Sequence, residues 1–331
     1  MTSEVRPPID AELEETAWPA LVEAGLTVPL TPARIAEMRE LSDAFLATDE
    51  VLTRGGAVGV EERTIPGPAG LPDLPVLVMR PAGRSGPLPC VYYTANGGKI
   101  TQSTRIVIGD LEASWVDDMG LVVVSISPPV GPEHPHPALI DGAYTGLVWL
   151  AYHADELGVD PERIIIYGKS GGGGLAAATA LMARDRGGPA LSHQILIYPM
   201  LDDREITVSS KFEGIPWDRT SNRTGWTAML GDAAGGADVS PYAAPARAAD
   251  LIGLPPTYLE TGSSEVFRDE ILEYAARLAH AGVPMELHCW AGGYHGFELS
   301  GPDAEISRAC VSARTSFLRR ALRPQPSRPV P

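Results

Sequence analysis

Ser170 stands between glycines in Gly168-Lys169-Ser170-Gly171-Gly172, just after the apolar run Ile164-Ile165-Ile166-Tyr167 and just before the helical stretch Leu175–Ala183. A G-x-S-x-G segment in that setting predicts a turn too sharp for flanking side chains, with the hydroxyl held out at the start of a helix. There the helix dipole and free N–H groups favour developing negative charge. A phosphate-binding loop fits poorly, because the G-x-x-x-x-G-K-[ST] spacing is missing. The bland alternative is a glycine-rich helix start with no catalysis.

A serine hydroxyl is a weak nucleophile at neutral pH and needs a base, which in turn needs a carboxylate to orient it. After a G-x-S-x-G elbow the order is serine, acid, histidine. Of seven histidines, His193, His280, His288 and His295 follow Ser170. His295 sits in Gly292-Gly293-Tyr294-His295-Gly296-Phe297, just past the strand-like run Met285–Trp290, whereas His288 lies inside that run, His280 on the preceding helix, and His193 too early. The acid belongs after the run Thr257–Thr261, where Glu265 lies; Asp269 is the second candidate and Glu270 a third, both at a helix start where acidic residues commonly serve the dipole.

These residues need a scaffold that brings strand ends together. Strand-like runs, most of them rich in β-branched residues, recur at Val58–Ile65, Pro75–Arg80, Cys90–Thr94, Leu121–Ile126, Ile164–Tyr167, Gln194–Tyr198, Thr257–Thr261 and Met285–Trp290. Helix-length segments such as Ile140–Asp155, Gly174–Arg184 and Asp269–Ala281 fall between them. That alternation predicts an α/β fold, a mostly parallel sheet flanked by helices, with its site at the carboxyl ends of the strands. Before it, residues 1–55 carry apolar positions at helical spacing (Leu13, Trp18, Leu21, Val22, Ile35, Met38, Leu41, Phe45), broken by prolines: two or three short helices. Residues 56–322 form the catalytic domain. The stretch 202–238 breaks the alternation and is expected to pack with the N-terminal helices as a small helical cap, the alternative being an irregular surface connection. Residues 323–331 are a Pro-rich tail.

The chain of 331 residues is 44% hydrophobic, enough for a large core, and its net charge of −16 opposes a nucleic-acid partner. Its three cysteines, Cys90, Cys289 and Cys310, show no metal-ligand spacing. Residues 1–30 have neither a basic segment nor a continuous apolar core, and no run is long enough to span a bilayer. The expectation is a soluble cytoplasmic protein with no membrane partner.

At the elbow, the acid loop and the histidine loop, the chain resembles the hormone-sensitive-lipase branch of the α/β hydrolases, the bacterial family IV esterases. The resemblance spans about residues 75–300 and includes Gly168–Gly173, Pro132-Glu133-His134-Pro135-His136-Pro137 with Asp141, Tyr198–Asp203, Glu265–Glu270 and Gly293–Phe297. It implies a serine carboxylic-ester hydrolase with a helical cap, no cofactor and no metal, acting on small or short-acyl esters through Ser170, His295 and Glu265. Dimers are frequent in the family. It also implies an oxyanion hole of backbone N–H groups at Gly97, Gly98 and Gly171, where losing one donor costs about 10²–10³ in rate.

The oxyanion loop departs from the family's His-Gly-Gly-Gly, reading Ala95-Asn96-Gly97-Gly98-Lys99. Asn tolerates left-handed backbone better than most residues. Of three lysines, Lys99 and Lys169 fall in this loop and the elbow, where the family has an apolar and an acidic residue. Lys99 is expected to make the pocket mouth cationic and favour anionic substrates; the alternative is that both are surface or salt-bridged side chains. Asn96 and Trp217 are further substrate-binding candidates, with Trp18 and Trp226 as other lining aromatics. The family's arginine is missing from Ser127-Pro128-Pro129-Val130. The altered loop leaves open a lyase, cyclase or acyl transferase on the same fold. A non-catalytic binding protein is the third reading, opposed by the presence of all three triad residues.

Overall fold

The computed structural model describes residues 6–43, 46–106 and 108–323; Phe45 and the tail beyond Arg323 lie outside them. Eight strands form one sheet: β1 Val58–Ile65, β2 Leu74–Pro81, β3 Leu88–Thr94, β4 Val122–Ile126, β5 Val159–Lys169, β6 His193–Ile197, β7 Thr257–Gly262 and β8 Met285–Trp290. Their order is β1-β2-β4-β3-β5-β6-β7-β8. Strand β2 runs antiparallel to β1 and β4, and all other pairs are parallel. Every residue of β4 and β6 is buried, as expected of strands covered on both faces.

Among the described residues four short helices precede β1: α1 Ala11–Thr16, α2 Trp18–Glu23, α3 Ile35–Asp43 and α4 Asp49–Thr53. The rest are α5 Asp110–Met119, α6 Ala138–Tyr152, α7 Ala154–Leu157, α8 Gly171–Arg186, α9 Arg219–Leu230, α10 Arg268–His280, α11 Phe297–Ser300 and α12 Glu305–Ala321. The helix expected to run to Asp155 breaks at His153, and α7 ends at Gly158, whose left-handed φ of 60° turns the chain into β5. Helix α8 is buried on nearly every side through Ala183, which its run of glycine and alanine permits by letting strands approach closely.

The N-terminal segment reaches the loops after β7 and β8 and the helix α9. Ser264 Oγ donates to the carbonyls of Pro7 (2.9 Å) and Pro8 (3.1 Å), and Asp10 N donates to Gly292 O at 3.1 Å. Leu13, Ala17 and Leu21 share a buried cluster with Tyr294 and Phe297. Leu30 is tied to α9 through Ser221 Oγ (2.8 Å) and Thr224 Oγ1 (2.9 Å), so part of the 202–238 stretch packs directly on the N-terminal segment. Among the described residues no helix is long and apolar enough to cross a membrane.

Candidate active site

Strand β5 ends at Lys169 and α8 begins at Gly171, leaving Ser170 alone in the turn between them. Its φ of 57° and ψ of −125° are strained for an L-residue, at a cost of about 1–3 kcal/mol. The surroundings hold it there: Ser170 N donates to Ile197 O at 2.9 Å, and its carbonyl accepts from Gly174 N and Met200 N, each at 3.1 Å. A β-carbon at Gly168 would run into the Gly172 carbonyl, which explains the small residue two positions before Ser170.

The loop after β8 brings His295 Nε2 to 2.9 Å from Ser170 Oγ and Nδ1 to 2.7 Å from Glu265 Oε2. With the proton on Nδ1 donated to the carboxylate, Nε2 is free to accept from the hydroxyl. Tyr198 and Phe267 hold the imidazole with edge contacts, ring centroids 4.6 and 5.2 Å away. Glu265 is fully buried, and its other oxygen accepts from Gly262 N (2.9 Å) and Thr261 Oγ1 (2.5 Å). The rival acids are engaged elsewhere: Asp269 accepts from Ser209 N and Arg268 Nε, and Glu270 from the amides of Leu201 and Asp202.

In the oxyanion loop, the carbonyl of Gly97 accepts from Ile100 N and Thr101 N, each at 3.0 Å. Gly97 pairs with Thr101 in an isolated antiparallel bridge, while among the described residues the amides of Gly98 and Gly171 donate to no protein acceptor. The left-handed residues are Gly98 (φ 54°) and Lys99 (φ 64°), so Asn96 contributes through its side chain instead: Oδ1 accepts from Lys99 N at 2.8 Å. A β-carbon at Gly98 would run into the Trp217 indole, so that ring lies directly against the loop. Trp217 is half-buried there, itself at a positive φ of 53°.

Both unusual lysines point inward. Lys99 is 1% exposed, its Nζ 3.5 Å from Gly171 O and 4.9 Å from the centre of the Trp226 ring. Burial pushes its ammonium down to about 7 against the pull of Glu270. The expectation of a cationic pocket mouth at Lys99 is therefore corrected: the side chain runs behind the loop, because its left-handed backbone turns it toward α8. Asn96, also 1% exposed and committed to Lys99 N and Thr101 O, does not open to a substrate either. Trp226 is a core residue, and Trp18 packs edge-on against Tyr294 at 5.5 Å.

Lys169 belongs to a buried ionic network under the site. Its Nζ lies 2.8 Å from Glu112 Oε1, which also accepts from Tyr167 OH at 2.8 Å. Beside it, Arg314 bonds Glu260 and Glu298, and Tyr198 OH donates to Glu298 at 2.8 Å. Burial disfavours the charge on Glu112 and Glu298, yet Lys169 and Arg314 hold both carboxyls below their ordinary values. Arg314 had no local sequence signal, since its partners lie on other elements.

Nor did Arg39. From α3 its Nε donates to Ile100 O at 2.8 Å and Nη2 to Gly131 O at 3.0 Å, while both terminal nitrogens grip Glu133 at 2.8 and 2.7 Å. The segment after Pro129, which lacks an arginine of its own, thus receives a guanidinium from the N-terminal helix. Among the described residues no group of three or more His, Cys, Asp or Glu side chains is arranged to hold a metal ion.

Comparison with known proteins identifies the family. The profile of the α/β hydrolase fold family matches residues 92–299. Carboxylesterase NlhH of Mycobacterium tuberculosis is 36% identical over 255 residues, covering 74% of this chain and 78% of that protein. Carboxylic ester hydrolase LipN of the same organism is 33% identical over 283 residues, covering 80% and 72%. Among solved structures, one described as a bacterial heroin esterase superposes with a TM-score of 0.82 at 35% identity, over 96% of this chain and 98% of that one. The chain belongs to the α/β-hydrolase fold family, in its hormone-sensitive-lipase-like branch.

Proposed function

We propose that this protein is a serine carboxylic-ester hydrolase in which Ser170, His295 and Glu265 form the catalytic triad. The observation that carries the reading is the continuous hydrogen-bonded line from Ser170 Oγ through His295 to Glu265, at 2.9 and 2.7 Å. Ser170 Oγ attacks the ester carbonyl while His295 Nε2 takes its proton, and Glu265 stabilises the imidazolium. The amides of Gly97, Gly98 and Gly171 take the negative charge of the tetrahedral oxygen. Collapse breaks the C–O bond, His295 returns the proton to the leaving alkoxide, and a water activated by His295 releases the acyl group and frees Ser170.

The substrates of this reading are small or short-acyl esters, with the Trp217 indole forming one wall beside the oxyanion loop. The free thiols of Cys90, Cys289 and Cys310 fit a reducing compartment such as the cytoplasm. The decisive experiment pairs fluorophosphonate labelling with hydrolysis of p-nitrophenyl acetate and butyrate in labelled water. Wild type should label at Ser170 and put solvent oxygen into the acid product, and S170A should do neither. Undiminished turnover by S170A overturns the triad assignment, and a product without solvent oxygen would favour a transferase or lyase.

A further inference from the structure

The triad reading leaves open what aims the oxyanion amides, and the contacts of Arg39 supply an answer that rests on that reading. In a trans peptide the C=O and the following N–H point in opposite directions across one plane. The carbonyl of Gly97 and the amide of Gly98 share such a plane. Because Gly97 O is held on one side by Ile100 N and Thr101 N, Gly98 N–H is turned to the other. One step further back, Thr101 N–H shares its plane with Ile100 C=O, and that oxygen accepts from Arg39 Nε at 2.8 Å.

We propose that Arg39 is a positioning residue for ester hydrolysis, acting on the oxyanion through two peptide planes in series. The guanidinium binds Ile100 O, the opposite edge of that peptide donates to Gly97 O, and the opposite edge of the next presents Gly98 N–H to the substrate oxygen. The arrangement works in two ways. Geometrically, it fixes a loop whose two left-handed residues give it little rigidity of its own, and a site must be held to about 0.5 Å to be productive. Electrostatically, hydrogen bonds in a chain polarise one another, so a cation at one end makes the N–H at the other a stronger donor.

Neighbouring contacts agree with this role. Ile35, one helical turn before Arg39, clusters with Ile100, so apolar and ionic contacts from one face of α3 hold the same loop residue. Gly131, whose carbonyl takes Arg39 Nη2 at 3.0 Å, donates its own amide to Lys99 O at 3.2 Å, securing the intervening peptide from the other side. Glu133 holds the guanidinium in the plane that makes these contacts possible. The consequence is that an N-terminal helix remote from the triad in sequence is part of the oxyanion machinery.

The test compares R39A, R39K and E133Q with wild type on p-nitrophenyl acetate, alongside affinity for a boronic acid, which mimics the tetrahedral intermediate, and for the corresponding unreactive ketone or amide. R39A should lose about 10- to 100-fold in kcat, below the full loss of an oxyanion donor, with KM changed less than about threefold. Boronate affinity should fall in step with kcat while ground-state affinity holds. R39K, able to reach one carbonyl but not all three partners, should recover part of the loss, and E133Q should lose less than R39A. A structural role alone would lower thermal stability without separating boronate from ground-state affinity. Wild-type kcat and boronate affinity in R39A would overturn the proposal, as would equal loss of both affinities. If R39A does not fold, R39K and E133Q carry the same comparison. Fluorophosphonate labelling of Ser170 in each variant keeps failure of the triad reading separate, since that reading fails in wild type and S170A, not in R39A.

Discussion

Lys169 Nζ and Glu112 Oε1 are 2.8 Å apart with both side chains only 2% exposed, one residue before the nucleophile position. A pair so deeply buried is costly to desolvate, and removing one partner leaves an uncompensated charge. K169M should therefore cost about 3–5 kcal/mol in urea unfolding, while the double variant E112Q/K169M should recover most of that loss. Additive effects would show that the two residues do not interact. The pH dependence has a definite sign. The folded-state pKa of Glu112 is lowered, so its stabilising contribution is present above the unfolded value and disappears as pH falls through the folded one. The acid side of the stability profile should be less steep in the double variant.

The carboxylate of Glu265 lies 2.7 Å from His295 Nδ1 and accepts two further hydrogen bonds. E265Q keeps the shape but presents an amide, favouring the wrong imidazole tautomer, and should lower kcat by about 10⁴. D269N should leave kcat within a few-fold of wild type, because Asp269 bonds Ser209 and Arg268 instead. The reverse ranking in steady-state kinetics would move the acid assignment to Asp269.

Lys99 gives a prediction about stability rather than specificity. Its ammonium is pushed down to about 7 by burial, from an ordinary value of 10.5. Between those values the unfolded chain binds more protons than the folded one, so the wild type gains stability as pH rises through that window. K99M should lack that gain: its stability relative to wild type should be most favourable at pH 6 and decline toward pH 10, as read from urea midpoints. A difference that does not vary with pH would contradict the buried position. KM for anionic and neutral esters should shift alike in K99M.

Gly171 is the remaining tight point. A β-carbon there would sit 2.6 Å from Asn96 Oδ1 and 2.8 Å from Gly98 N. G171A should push the oxyanion loop outward and lower kcat by about 10²-fold, the size of one lost donor. G171A/N96G, which removes the obstructing carboxamide, should recover part of the rate; no recovery would mean that Asn96 is not what the methyl group meets.

The inner strands were legible because buried strands of a parallel sheet are short apolar runs, while β1 and β8 at the sheet edges are partly exposed; each of the eight appears at its expected place within a few residues. The loops that follow β5, β7 and β8 were legible for the same reason, which is why Ser170, Glu265 and His295 stood out before any coordinate did. Between Glu265 and Asp269 the sequence favoured Glu265 only because Asp269 begins the next helix, and it is the coordinates that set Glu265 2.7 Å from His295 Nδ1.

What the sequence by itself determined is the order of strands and helices and the chemical types waiting at their ends, because these depend on local periodicity and on turns that few residues tolerate. Tertiary structure alone decided where charge goes. Lys99 read as a pocket-mouth residue, with surface or salt-bridged side chains as the alternative for both lysines; Lys169 is salt-bridged, but in the interior, where only a partner on a distant element makes burial tolerable. Arg39 shows the same limit, lying 61 positions from the Ile100 carbonyl it holds. A hydrogen bond across that separation depends on how a helix docks, which no local pattern encodes.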